Sequence, residues 1–146
     1  MAPERTRACL STGYQQDNAE RSRAGRSTGA FVTGSEIDRL AGLASAALPL
    51  WDLPSNATAR LINLSENATY MVESPDGFRS VLRIHRQNYH TRRGIECELA
   101  WMEALGLTGG VATPRPIAGH DGALIQQCGH GAVSYTHLRA HETSLH

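Results

Sequence analysis

Ser74-Pro75-Asp76-Gly77-Phe78 constrains the fold of this chain more than any other string in it. Proline presets φ for one turn position and glycine supplies a positive φ at another, so the backbone has to reverse here. Both flanks have strand character. Thr69 to Glu73 leads into the turn, and Phe78 to Arg86 leads out with Val81, Arg83 and His85 alternating against Leu82 and Ile84. Upstream, the polar tetrad Ser65-Glu66-Asn67-Ala68 separates this pair from a further strand candidate, Ala59 to Leu64. Three consecutive antiparallel strands are expected.

Helices bracket the strands. Thr33-Gly34-Ser35-Glu36 has the form of a capping box, and Ile37, Leu40, Ala41, Ala44 and Ala47 follow at helical spacing until Pro49. A second helix is predicted from Arg92 to Leu107, with Ile95, Leu99 and Met102 on one stripe and Gly106 or Gly109-Gly110 as its stop. Thr113-Pro114-Arg115-Pro116 is a stiff connector, and His120-Asp121-Gly122 is the turn of an expected hairpin between Ile117-Ala118-Gly119 and Ala123 to Gln126. Helix, three strands, helix and two strands give an α+β fold: an antiparallel sheet of about five strands, one packed helix and an N-terminal helix.

Residues 1–34 are rich in Arg, Ser, Thr, Gly and Gln without apolar periodicity, which predicts a disordered leader. The folded part is expected over residues 35–132. Fourteen basic residues, all arginine, balance fourteen acids, so no global positive field recommends nucleic acid as a partner. No apolar stretch is long enough to be a signal peptide or to span a membrane, and three widely spaced cysteines offer no paired motif. A cytoplasmic location is expected.

The chemistry centres on Glu98. At about 100° per residue it falls about 60° from Ile95, inside the apolar stripe, whereas Glu96 and Glu103 lie to the other side. A carboxylate facing a core requires a cation, and the preceding strand offers Arg83 between Leu82 and Ile84. Two readings of that pair stand at this point: a strut between helix and sheet, or part of a binding site.

The motifs Ser65-Glu66-Asn67-Ala68-Thr69-Tyr70, Val81-Leu82-Arg83-Ile84-His85-Arg86, Ile95-x-x-Glu98-Leu99-x-Trp101 and Thr113-Pro114-Arg115-Pro116 resemble, in order and spacing, the aminoglycoside phosphotransferase and choline kinase superfamily, near its homoserine-kinase-like members. The resemblance covers about residues 36–132 and implies the amino-terminal lobe of a protein-kinase-like fold, truncated. It implies ATP and Mg2+ as cofactors of an intact parent that phosphorylates a small hydroxyl- or amine-bearing acceptor. Arg83 stands where the family has a cation, often lysine, on the ATP phosphates, and Glu98 where a helix carboxylate orients it. Arginine is a departure, since its flat fork meets phosphate oxygens in pairs. Val81 would lie under the adenine. Ser65, Glu66, Asn67 and Ala68 match the turn over the phosphates, here without glycine.

No histidine is followed two places on by aspartate, so the loop that such transfer uses to activate its acceptor has no counterpart. The fragment is expected to be inactive by itself. From Val133 the pattern breaks, and Val133-Ser134-Tyr135-Thr136-His137-Leu138-Arg139-Ala140-His141-Glu142-Thr143 resembles translated sequencing-adaptor read-through, which implies that residues 133–146 are non-native and stand outside the fold. Two other readings remain: zinc on Cys128, His130, His137 and His141, or a small interaction module with an acidic partner.

Overall fold

The computed structural model describes residues 32–127 and 134–139. The expected leader therefore lies almost wholly outside the described residues. Helix α1, Gly34–Ala47, starts at Thr33, whose hydroxyl accepts from the Glu36 N–H at 3.3 Å. Only half of the capping box forms, because the Glu36 carboxylate reaches Arg86 instead. Pro49 converts the chain to a 3-10 turn over Leu48–Leu50, as its missing N–H and fixed φ dictate.

Strands β1 (Thr58–Leu64), β2 (Asn67–Glu73) and β3 (Arg79–His85) form the expected antiparallel meander. The β2–β3 turn closes as its residues require. The Gly77 N–H donates to the Ser74 carbonyl at 3.1 Å with φ of 94° at Gly77, and Asp76 accepts from the Ser74 hydroxyl and from the Phe78 N–H. These donors hold the Asp76 carboxyl below its ordinary range.

Helix α2, Arg92–Leu107, has the predicted bounds and is capped by Thr91, whose hydroxyl accepts from the Gly94 N–H at 3.0 Å. The remaining strands are short β4 (Arg115–Pro116), β5 (Ile125–Gln127) and β6 (Ser134–Arg139). The described sheet has six strands rather than five, in the order β1-β2-β3-β6-β4, with β5 also on β6. The hairpin expected after Ile117 is reduced to its turn, in which the Gly119 N–H donates to Ala123 O at 2.9 Å. Beyond that bond the flanks turn to β6, the Ile117 N–H donating to His137 O at 2.8 Å and Ile125–Gln127 pairing with Ser134–Thr136. Set aside in the sequence reading, Ser134–Arg139 thus occupies the slot beside β3. Its Tyr135, Thr136, His137 and Leu138 are buried against the open β3 edge.

Each face of the sheet carries one helix. Leu40, Ala44 and Ala47 of α1, with Trp51, pack on Ala68, Tyr70, Val72, Leu82, Ile84 and Tyr135. The Trp51 indole donates to Ile117 O at 3.1 Å, tying that core to the approach to β5. On the opposite face, Ile95 and Leu99 of α2 pack on Ile125 and Leu138, with Val81 and Met102 alongside. This second core is smaller and stops short of the end of β3 that carries Arg83 and His85.

Candidate nucleotide-phosphate site

Strand alternation places Val81, Arg83 and His85 together on the α2 face. Their cross-strand neighbours there are Met71, Thr69 and Asn67 on β2, and Leu138, Thr136 and Ser134 on β6. Polarity rises along this row. Val81 belongs to the α2 core, Arg83 sits midway, and His85 closes the polar end.

Arg83 and Glu98 meet, as their spacing predicts: Nη1 donates to Oε1 at 2.6 Å. Burial is distributed otherwise than the helical wheel suggests, since the Arg83 side chain is 15% exposed and that of Glu98 is 43% exposed. The expectation of a carboxylate inside the core is corrected here. Helix α2 touches the sheet through Ile95 and Leu99, and Glu98 projects past the edge of that contact while Arg83 lies sheltered beneath it. The buried member of the pair is the cation.

Arg83 is also incompletely satisfied. Among the described residues its Nε and Nη2 are buried without a hydrogen-bond partner. These two N–H groups lie along one edge of the guanidinium plane and donate in parallel, the arrangement that meets two oxygens of a carboxylate or phosphate. Leaving such donors buried and unmatched costs about 1–3 kcal/mol each, which an incoming anion would recover. Glu98 fixes the opposite side of the plane, and an anion reaches the Nε/Nη2 edge only when the groups that cover it move aside.

His85 extends the row. Its Nε2 lies 2.8 Å from the Thr136 hydroxyl and its ring meets His90 edge-on at 6.0 Å between centroids. Burial, then the positive charge of Arg83 and the neighbouring His90, push its pKa down to about 3, so the ring is neutral at physiological pH. A neutral ring leaves Arg83 as the charge of the row.

The expected phosphate turn is shorter than its tetrad. Ser65 and Glu66 form the exposed turn, while Asn67 and Ala68 already belong to β2, Ala68 being fully buried between Leu64 and Ile84. The Ser65 N–H donates to Asn67 O at 3.0 Å and so closes the turn on itself. His90 Nε2 stands 3.4 Å from Glu66 Oε2. Sequence reasoning missed this side of the site: Arg86 donates to Ser65 O at 2.7 Å and to Glu36 at 2.9 Å. The available signal was a second arginine three places beyond Arg83, in a string already singled out.

The four histidine and cysteine residues considered for zinc are not drawn together by what the structure describes. His137 is buried on the α1 face, 2.5 Å from the Ser80 hydroxyl and edge-on to Trp51; Cys128, His130 and His141 lie outside the described residues. Among the described residues no three His, Cys, Asp or Glu side chains form a metal-binding group, and no helix is long and apolar enough to cross a membrane. A cavity of about 470 Å³ lies between the end of α2 and β4, lined by Met102, Leu107, Val111, Pro116 and Leu124 among others, and neither Arg83, Glu98, Arg86 nor the Ser65–Ala68 segment lines it.

The sequence profile of the phosphotransferase enzyme family, APH, matches residues 58–145. The chain belongs to this family. Among solved structures, a microcompartment-associated aminopropanol kinase is 38% identical, with a TM-score of 0.62 over 68% of this chain and 31% of that one. An amicoumacin kinase in complex with AMP-PNP, Ca2+ and Ami is 19% identical, with a TM-score of 0.56 over 75% of this chain and 34% of that one, a likeness of fold. No curated protein matches. The chain spans about a third of the length of these solved relatives. Its α+β layers are those of a kinase-like amino-terminal lobe, the fold of small-molecule phosphotransferases.

Proposed function

We propose that this chain is the nucleotide-binding part of an ATP-dependent small-molecule phosphotransferase, transferring a γ-phosphoryl group to a hydroxyl or amine acceptor. One observation carries the reading: the buried Nε/Nη2 edge of Arg83 has no acceptor while Glu98 holds Nη1. Donor chemistry and geometry both fit a phosphate. ATP with Mg2+ would supply the phosphoryl group and the charge neutralisation that such transfer needs. Arg83 would bind two phosphate oxygens, Glu98 would hold the guanidinium plane, and Val81 would present an apolar surface to the adenine. Ser65, Glu66, Asn67 and Ala68 would border the phosphates, with Ser65 and Glu66 nearest to solvent.

The chain alone should bind without turning over, because its sequence has no histidine followed two places on by aspartate. We further propose a cytoplasmic setting, and that residues 133–146 are foreign to the native sequence. The adaptor-like string Val133 to Thr143 is the support for the latter, and against it stand the family match through residue 145 and the seat of β6 beside β3. Sequencing the native locus across codon 132 tests it, and an unchanged reading through codon 146 refutes it.

The binding reading is tested by titrating the full chain with Mg2+ and AMP-PNP, followed by amide NMR. Shifts centred on Arg83 and Ser65–Ala68, lost in Arg83→Met and retained in Glu96→Ala, are expected. Undiminished binding by Arg83→Met would remove the assignment.

A further inference from the structure

Among the described residues, Arg86 joins three elements around the Ser65–Glu66 turn. It follows β3, its side chain is 16% exposed, and both ends of its guanidinium are engaged: Nη1 on Ser65 O at 2.7 Å and Nη2 on Glu36 Oε1 at 2.9 Å. The group also lies 5.0 Å over the Tyr89 ring, which limits its swing. Glu36 is committed to this contact at the expense of closing its own helix cap.

We propose that Arg86 is a positioning residue for the phosphate turn, setting the direction of the peptide that joins Ser65 to Glu66. In a trans peptide the C=O and the following N–H point in opposite directions. Arg86 draws the Ser65 carbonyl toward α1. The Glu66 N–H is thereby directed to the opposite side, the face that carries Arg83. The turn has no glycine, and its Ser65 N–H to Asn67 O bond does not by itself fix that plane. The external clamp does so, and α1 becomes part of the site's frame through Glu36.

This inference rests on the nucleotide reading for its functional consequence and on backbone geometry for its structural one, so two readouts separate them. The full chain and its Arg86→Met and Arg86→Lys variants are titrated with Mg2+ and AMP-PNP and, separately, with adenosine. Arg86→Met should weaken AMP-PNP by about fivefold or more and leave adenosine within about twofold, with Arg86→Lys, which keeps the charge but not the two-armed fork, in between. Equal losses for both ligands, or none, would mean that Arg86 only props the fold, and would overturn the proposal. Hydrogen exchange supplies the second readout. Amides of Glu66–Ala68 should exchange about tenfold faster in Arg86→Met relative to those of Tyr70–Val72, and an unchanged ratio overturns the clamp. Should the unmodified chain bind neither ligand, the nucleotide reading falls, and the exchange ratio alone decides the clamp. If Arg86→Met does not fold, Arg86→Lys carries the same two measurements.

Discussion

Lowering the pH from 7.5 to 5 should take about 4 kcal/mol from the stability of this fold, and two histidines set the magnitude. His85 is held down to about 3 by burial, Arg83 and His90, and His137 down to about 4 by burial, against an ordinary 6.5. Folded, both rings stay neutral across the window; unfolded, both take up a proton near pH 6.5. The unfolded chain therefore binds more protons, stability is complete above pH 6.5, and it declines as the pH falls. Each proton is worth about 1.4 kcal/mol per pH unit, so at pH 5 each histidine costs about 2 kcal/mol and the two about 4 kcal/mol. A domain of this size has about 5–15 kcal/mol to lose. Urea unfolding followed by the fluorescence of buried Trp51 is the assay, and the midpoint should fall by roughly 1–4 M at ordinary denaturant sensitivity. Asp76 and Asp121, whose carboxyls are also held below their ordinary 3.8, lose their contribution only at lower pH and leave this window to the histidines. In His85→Gln, about half of the loss should vanish. A midpoint that does not move between pH 7.5 and 5 would refute the reasoning.

Chemical unfolding also discriminates the two carboxylates of α2. Glu98→Ala leaves a sheltered Arg83 without its partner and should cost about 1–2 kcal/mol, whereas Glu96→Ala loses an exposed pair with Arg92 at 3.1 Å and should cost under about 0.5 kcal/mol. Equal costs would contradict the burial of Arg83. Tyr70→Phe removes a buried hydroxyl that has no partner and should raise stability by about 1 kcal/mol in thermal melts; a loss would show that the hydroxyl is satisfied. Gly119→Ala should destabilise by about 1–3 kcal/mol, since a methyl group there would press into the Gln126 amide and lie 3.0 Å from Leu50 O; a neutral outcome by the same melts would mean that both yield freely.

The meander and α2 were legible because their signals are local: a Pro-Asp-Gly turn fixes register, and Ile95, Leu99 and Met102 fix a helix face. The Arg83–Glu98 pair was legible for the same reason, as each stands on a well-marked element. What the wheel could not supply was how far the sheet extends beneath α2, and hence which partner is sheltered. The slot filled by β6 was missed because residues 133–146 were set aside for their likeness to adaptor read-through, whereas Ser134 to Arg139 pairs along the open β3 edge. Arg86 escaped because its partners, Glu36 and Ser65, are distant in sequence and one of them offers only a carbonyl.

The position of β6 between β3 and β4 has a consequence in time. β3 is complete at His85, yet its neighbour begins at Ser134, about 50 residues later. At a synthesis rate of about 5–20 residues per second, the emerging chain carries a bare strand edge for several seconds. Leu82 and Ile84 are by then already paired to β2, so the meander presents an ordered template to any other strand nearby. For the sequence as given, with residues 133–146 in place, the fold is therefore a race between the arrival of residue 134 and the encounter with another nascent copy, and slower translation between codons 86 and 133 favours aggregation.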